Sequence, residues 1–112
     1  MVLNFWRKNS TEKRTYERIP THLFVRFLNG NSLHNALVTN LSENGIYFIT
    51  EAYISSGLNI EVSILFTEDV LKVPVKITRT VKTGFLYDGF GTKLLNPPTS
   101  YLEFVDSLKP TL

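Results

Sequence analysis

Two neighbouring stretches alternate apolar and polar residues with a period of two, and no other feature of the chain limits its fold so tightly. Ile60, Val62, Ile64 and Phe66 alternate with Glu61 and Ser63, and after the turn Glu68-Asp69 the row Leu71, Val73, Val75, Ile77 opposes Lys72, Lys76 and Thr78. Successive side chains of a strand point to opposite faces, so each stretch is a half-buried strand with one apolar side. The same pattern recurs earlier. Leu23, Val25 and Phe27 alternate up to Asn29-Gly30-Asn31, a hairpin turn that tolerates positive φ. A second run covers about 33–41, the tight loop Asn40-Leu-Ser-Glu-Asn-Gly45 interrupts it, and Ile46–Ile49 resumes as a third strand. Lys82-Thr83-Gly84 turns the chain into a last strand at about 85–95.

Two residues strain this pattern. Pro74 lies on the polar row and is expected at an edge or bulge, where its missing N–H does no harm. Arg79 falls in the odd-numbered row with Leu71, Val73, Val75, Ile77 and Val81, otherwise a core-facing set. Either a bulge shifts the register there, or the strand has reached the rim and Arg79 points into solvent or ligand. Beyond Pro97-Pro98 the period changes. Ser100-x-x-Glu103 is a capping-box pattern, and Tyr101, Phe104, Val105 and Leu108 form the stripe of a short amphipathic helix that Pro110 ends. The prediction is a mostly β fold: a six-stranded antiparallel barrel over 19–112 with a C-terminal α-helix on it, preceded by an extended, flexible basic arm over 1–18.

At 112 residues, with 43% hydrophobic and 20% charged residues, one core is feasible without staples. The absence of cysteine excludes disulfides, thiolate metal sites and thiol catalysis, and His22 and His34 lack metal-ligand spacing, so no metal and no cofactor are expected. No stretch approaches the ~18 apolar residues of a membrane span. The opening run Met1–Trp6 is too short for a signal peptide and its basic residues follow it, so the protein is expected in the cytoplasm. The net charge of +2 is unevenly placed: residues 1–18 carry five basic side chains against two acidic ones, and the rest is nearly neutral. A basic end on a neutral body points to an anion, but with no basic groove beyond the arm nucleic acid is a poor partner. There is no phosphate-binding glycine loop before a helix, no nucleophile elbow and no enforced acid pair, so the chain is not expected to be an enzyme.

Two short patterns carry what chemistry remains. Arg14-Thr-Tyr-Glu-Arg18 presents two planar, forked, permanently charged guanidinium groups just before the first strand, suited to phosphate oxygens and the O6/N7 edge of guanine. Asn40-Leu-Ser42-Glu-Asn-Gly45 offers hydrogen bonds from Asn40 and Ser42, with Gly45 serving either positive φ or a close approach of ligand or backbone. Each alone is ordinary: a solvated face and a turn. Together, in this order, they resemble the PilZ domain family, with Arg18-Ile-Pro20 leading into the barrel and Gly91-Thr-Lys93-Leu-Leu95 as the closing strand. The resemblance covers about residues 12–108.

It implies a PilZ-like barrel that binds the bacterial second messenger cyclic diguanylate (cyclic di-GMP) without catalysis and signals to a downstream protein partner. Arg14 and Arg18 would match the two motif arginines, and Asn40 a position that is Asp or Asn in the family and contacts a guanine edge. Ser42 would bond the ligand and Gly45 keep the loop tight. An Asp at position 40 could accept from two guanine N–H groups, whereas Asn has one acceptor oxygen, which implies weaker binding. Lys13, just before the first motif arginine, falls where the family sets one or two ligands per chain, and its charge suits two. Arg79 and Lys93 are further candidates to face the ligand. Phe5 and Trp6 either stack on a guanine or pack on the barrel or a partner, the latter being commoner. Two other classes stand beside this reading. One is a small barrel binding single-stranded nucleic acid, and the other a PilZ-like interaction module that does not bind nucleotide.

Overall fold

The computed structural model describes residues 17–110. Six strands appear in chain order: β1 (Ile19–Asn29), β2 (Ser32–Leu41), β3 (Ile46–Thr50), β4 (Asn59–Leu65), β5 (Val70–Val81) and β6 (Asp88–Leu94), followed by the helix α1 (Thr99–Leu108). They close as an antiparallel barrel in the order β1-β2-β3-β6-β5-β4. The period-two rows point where alternation requires. Val25, Phe27, Val38, Phe48, Val62, Ile64, Val73, Val75, Ile77 and Phe90 fill the interior, each 2% exposed or less. Phe27, Phe48 and Phe90 run across it with successive ring centroids 5.7 Å apart, the spacing of favourable aromatic pairs. A two-residue turn at Gly30, with φ of 66°, closes the β1–β2 hairpin.

The exceptions each have a local cause. The β5–β6 register shifts between Ile77 and Arg79, so the bulge, one of the two expectations for Arg79, turns it and Val81 outward. Pro74 is at neither an edge nor a bulge, because a closed barrel has no edge. Its carbonyl accepts from the Leu95 amide (3.0 Å), just past the last β5–β6 pair, Val75 with Leu94. A strand residue's N–H and C=O share a side, so the absent N–H would have faced Leu95 too, and the proline forgoes one bond just beyond the last ladder pair. β6 starts at Asp88, later than expected, because Thr83 organises residues 83–88 as a loop. Its Oγ1 accepts from the Phe85 amide (3.1 Å) and donates to the Tyr87 carbonyl. Phe66 is not part of the core row. It lies beyond β4 and meets Phe104 edge-on at 5.3 Å.

α1 covers the end of the barrel opposite the β1–β2 hairpin, with Tyr101 and Val105 fully buried and Phe104 and Leu108 partly so. The predicted stripe is the buried face. The capping box is absent: the helix starts two residues earlier than Ser100 as N-cap would place it, Pro98 is the N-cap, and no side chain caps it. Pro has no side-chain acceptor, so its carbonyl alone takes up the Tyr101 (2.9 Å) and Leu102 (3.2 Å) amides.

Candidate ligand site

Register brings residues distant in sequence into one row across the outside of the barrel. Pro20 pairs with Asn40, Asn40 with Tyr47, Tyr47 with Gly91 and Gly91 with Arg79. The row spans β1, β2, β3, β6 and β5, four strand spacings or roughly 19 Å. A second bulge, in β2 between Val38 and Asn40, adjusts the pairing so that Asn40 stands opposite Tyr47.

Arg18 lies at one end of the row, two residues before Pro20, exposed, with its Nη1 donating to Asn40 Oδ1. That bond uses the acceptor oxygen of Asn40 and leaves its NH2 group as the donor it can offer a ligand. Arg79 lies at the other end, with its guanidinium carbon 5.8 Å from the centroid of the Tyr47 ring, within cation–π range. Gly91 gives this stacking room. A Cβ there would come within 3.3 Å of Arg79 Nε, and one on Gly89 would collide with the Tyr47 hydroxyl. The glycines of β6 thus form a floor on which Tyr47 and Arg79 lie. Lys93, two residues beyond Gly91 on the same face, is exposed and pairs with Lys76.

Ser42 and Gly45 sit differently. Ser42 Oγ accepts from the amides of Asn44 (3.1 Å) and Gly45 (3.2 Å), and the Ser42 amide donates to the Gly45 carbonyl (2.8 Å). Gly45 has no positive φ. Its requirement is space, since a Cβ would stand 2.3 Å from the Thr92 carbonyl oxygen. Both residues are buried and shape the loop from within. Three further contacts clamp this loop. The Tyr101 hydroxyl donates to the Ser42 carbonyl (2.7 Å), the Leu94 amide donates to the Asn44 carbonyl (2.9 Å), and Lys109 pairs with Glu43 (3.3 Å). Burial, with the Glu43 carboxylate nearby, pushes the Tyr101 phenol well above the ordinary tyrosine range.

The structure therefore brings Arg18 and Asn40 into contact and places Arg79 on the same outer row, with Ser42 and Gly45 buried in the loop that follows Asn40. Lys13, Arg14, Phe5 and Trp6 lie outside the described residues. Tyr47, Gly89 and Tyr101 escaped the sequence reading. The one signal available was Gly89-x-Gly91, two glycines on one face of a strand, whose meaning depends on knowing that Tyr47 lies opposite.

Solved structures with this fold include a PilZ domain with c-di-GMP of YcgR from Escherichia coli, 20% identical to this chain. It has a TM-score of 0.66 and coverage of 86% of this chain and 91% of that one. The inhibitor of motility MotI/DgrA of Bacillus subtilis is 15% identical, TM-score 0.66, with 82% of this chain and 47% of that chain covered. YcgR of E. coli in complex with c-di-GMP is 19% identical, TM-score 0.66, with 85% and 43% covered. The chain thus spans less than half the length of these last two. No curated protein sequence matches it. Likeness at such identities speaks for the barrel alone, but a family model described as PilZ domain matches residues 12–106. With that match running from residue 12 through the barrel into α1, the chain belongs to the PilZ domain family.

Proposed function

We propose that this chain is a non-catalytic receptor for cyclic diguanylate, acting in the cytoplasm, which holds the nucleotide on the outer row between Arg18 and Arg79. The observation that carries this is the pairing of Arg18 with Asn40 at one end of a glycine-floored surface and the stacking of Arg79 on Tyr47 at the other. Two guanidinium groups flanking an aromatic floor suit a planar, anionic, guanine-bearing ligand. Arg14 would add a second arm arginine, and Ser42 and Gly45 would hold Asn40 in place. Lys13 and Lys93 are candidates to offset phosphate charge, with two nucleotides per chain at saturation and one in Lys13→Leu. Binding would fix residues 8–18 across the barrel face, and a downstream protein would sense the new surface.

One observation favours a second reading. Ser42 and Gly45 are already satisfied by loop amides and by the packing of Thr92, so two motif positions have a structural role without nucleotide. A PilZ module that does not bind nucleotide would keep them too. Calorimetric titration separates the two, with GTP, cyclic di-AMP and an oligonucleotide alongside. Saturable heat with cyclic diguanylate alone is the expected result. No heat with it leaves the interaction module, and heat with the oligonucleotide moves the chain to a nucleic-acid-binding class.

A further inference from the structure

A groove of about 610 Å³ opens on the outside of the barrel, between the ligand row and the β1–β2 hairpin. Its apolar lining comes from Phe24, Leu33, Leu37, Ile49, Ala52 and Tyr87. Phe24 is 68% exposed, Leu33 58% and Tyr87 46%. Register makes it a second row: Phe24 pairs with Leu37, and Leu37 with Ile49. Ile49 is two residues along β3 from Tyr47, so the groove begins only about 7 Å from the ligand row. Contiguous exposed apolar surface of this kind on a small domain marks a place where something binds.

We propose that this groove seats the chain's own segment Met1–Trp6. Met1, Val2, Leu3, Phe5 and Trp6 make it the most apolar run outside the barrel strands, and Arg7-Lys8 follow it directly. Glu51, exposed on the groove's lining, is the complementary charge. Reach is ample. Residues 7–17 join the segment to Arg18, and extended chain covers about 3.3–3.6 Å per residue, several times the distance from Asn40 to the groove. A tether that short gives a local concentration in the millimolar range, so the chain's own segment outcompetes a second copy. The proposal concerns the protein without nucleotide and does not depend on the ligand reading.

Trp6 is the only tryptophan, so its fluorescence reports the segment alone. The full chain, free of nucleotide, is compared with a synthetic peptide of residues 1–16 by emission maximum and by iodide quenching. The expected result is blue-shifted emission and several-fold weaker quenching in the full chain, unchanged on dilution. Both should revert towards the peptide in Ile49→Glu and in Leu33→Glu. Leu33 stands at the hairpin end with most of its surface in water, so the second variant folds even if the first is perturbed. Quenching equal to the peptide's would overturn the proposal. So would shielding that survives both substitutions, or shielding lost on dilution, which would assign the groove to a second copy.

Discussion

Two glycines of the motif region answer to different neighbours, and the difference predicts opposite behaviour. A Cβ on Gly45 would sit 2.3 Å from a backbone oxygen of β6, whereas one on Gly91 would meet only the flexible Arg79 side chain at 3.3 Å. Gly45→Ala should therefore destabilise the barrel by about 1–3 kcal/mol, the usual cost of overpacking, seen as a lower denaturation midpoint. Gly91→Ala should keep the parental midpoint and weaken nucleotide binding, because Arg79 must shift by a few tenths of an ångström over Tyr47. Arg18→Ala is the complementary case. The side chain is exposed and, among the described residues, hydrogen-bonds Asn40, so stability should hold while affinity falls by about 2 kcal/mol, roughly thirtyfold, for one lost charge-assisted hydrogen bond. Arg18 and Asn40 were legible in the sequence because type and spacing carry them. Tyr47, Gly89 and the roles of Gly91 and Arg79 were not, because they depend on which residues pair across strands. Bulges near Thr39 and Thr78 set that pairing, and a bulge has no compositional signature.

At the scale of elements, alternation revealed β1, β4 and β5, since a half-buried strand must show period two whatever its neighbours, while β2, β3 and β6 were legible as runs set off by turn residues. It could not show where a strand yields to side-chain bonds, as at Thr83, nor that the sheet closes and leaves Pro74 without an edge. The helix stripe was legible for the same reason as the strands, but not its tie to the motif loop. Tyr101 reaches from α1 to the Ser42 carbonyl with a fully buried ring. Tyr101→Phe keeps the ring and removes the donor, so it should lower stability by about 1–2 kcal/mol. The pH dependence follows from the raised phenol pKa. Burial favours the neutral form, so the folded chain keeps this proton to higher pH than the unfolded chain does. The contribution is complete below the unfolded value of about 10 and is lost as pH rises through and above it. The gap between parent and Tyr101→Phe, measured as urea midpoints, should therefore shrink between pH 8 and pH values above about 10.

Over the whole molecule, the barrel separates its two ends. The β1–β2 hairpin, the β5–β6 loop and the apolar groove occupy one, and the Ser42–Gly45 loop with α1 the other. At the second end, the loop that backs Asn40 is held on three sides by Tyr101, Leu94 and Lys109, two of which belong to α1 and its C-cap. A nucleotide that bonds Asn40 stabilises the arrangement in which these contacts exist, and by linkage it must raise the free energy of opening whatever shares them. If the proposed receptor reading holds, the helix is a second place, besides residues 8–18, where binding would be felt. β4, with Val62 and Ile64 fully buried, pairs with β1 and β5 rather than with the loop and should not respond. Amide hydrogen exchange with and without cyclic diguanylate tests this. Protection should rise over residues 40–46 and, to a smaller extent, over 101–109, with the β4 amides unchanged. Tyr101→Phe should abolish the rise in the helix while leaving that at 40–46. A gain confined to 40–46 in the parent would mean that the loop absorbs the ligand's effect by itself, and any signal to a partner would then have to leave by the arm.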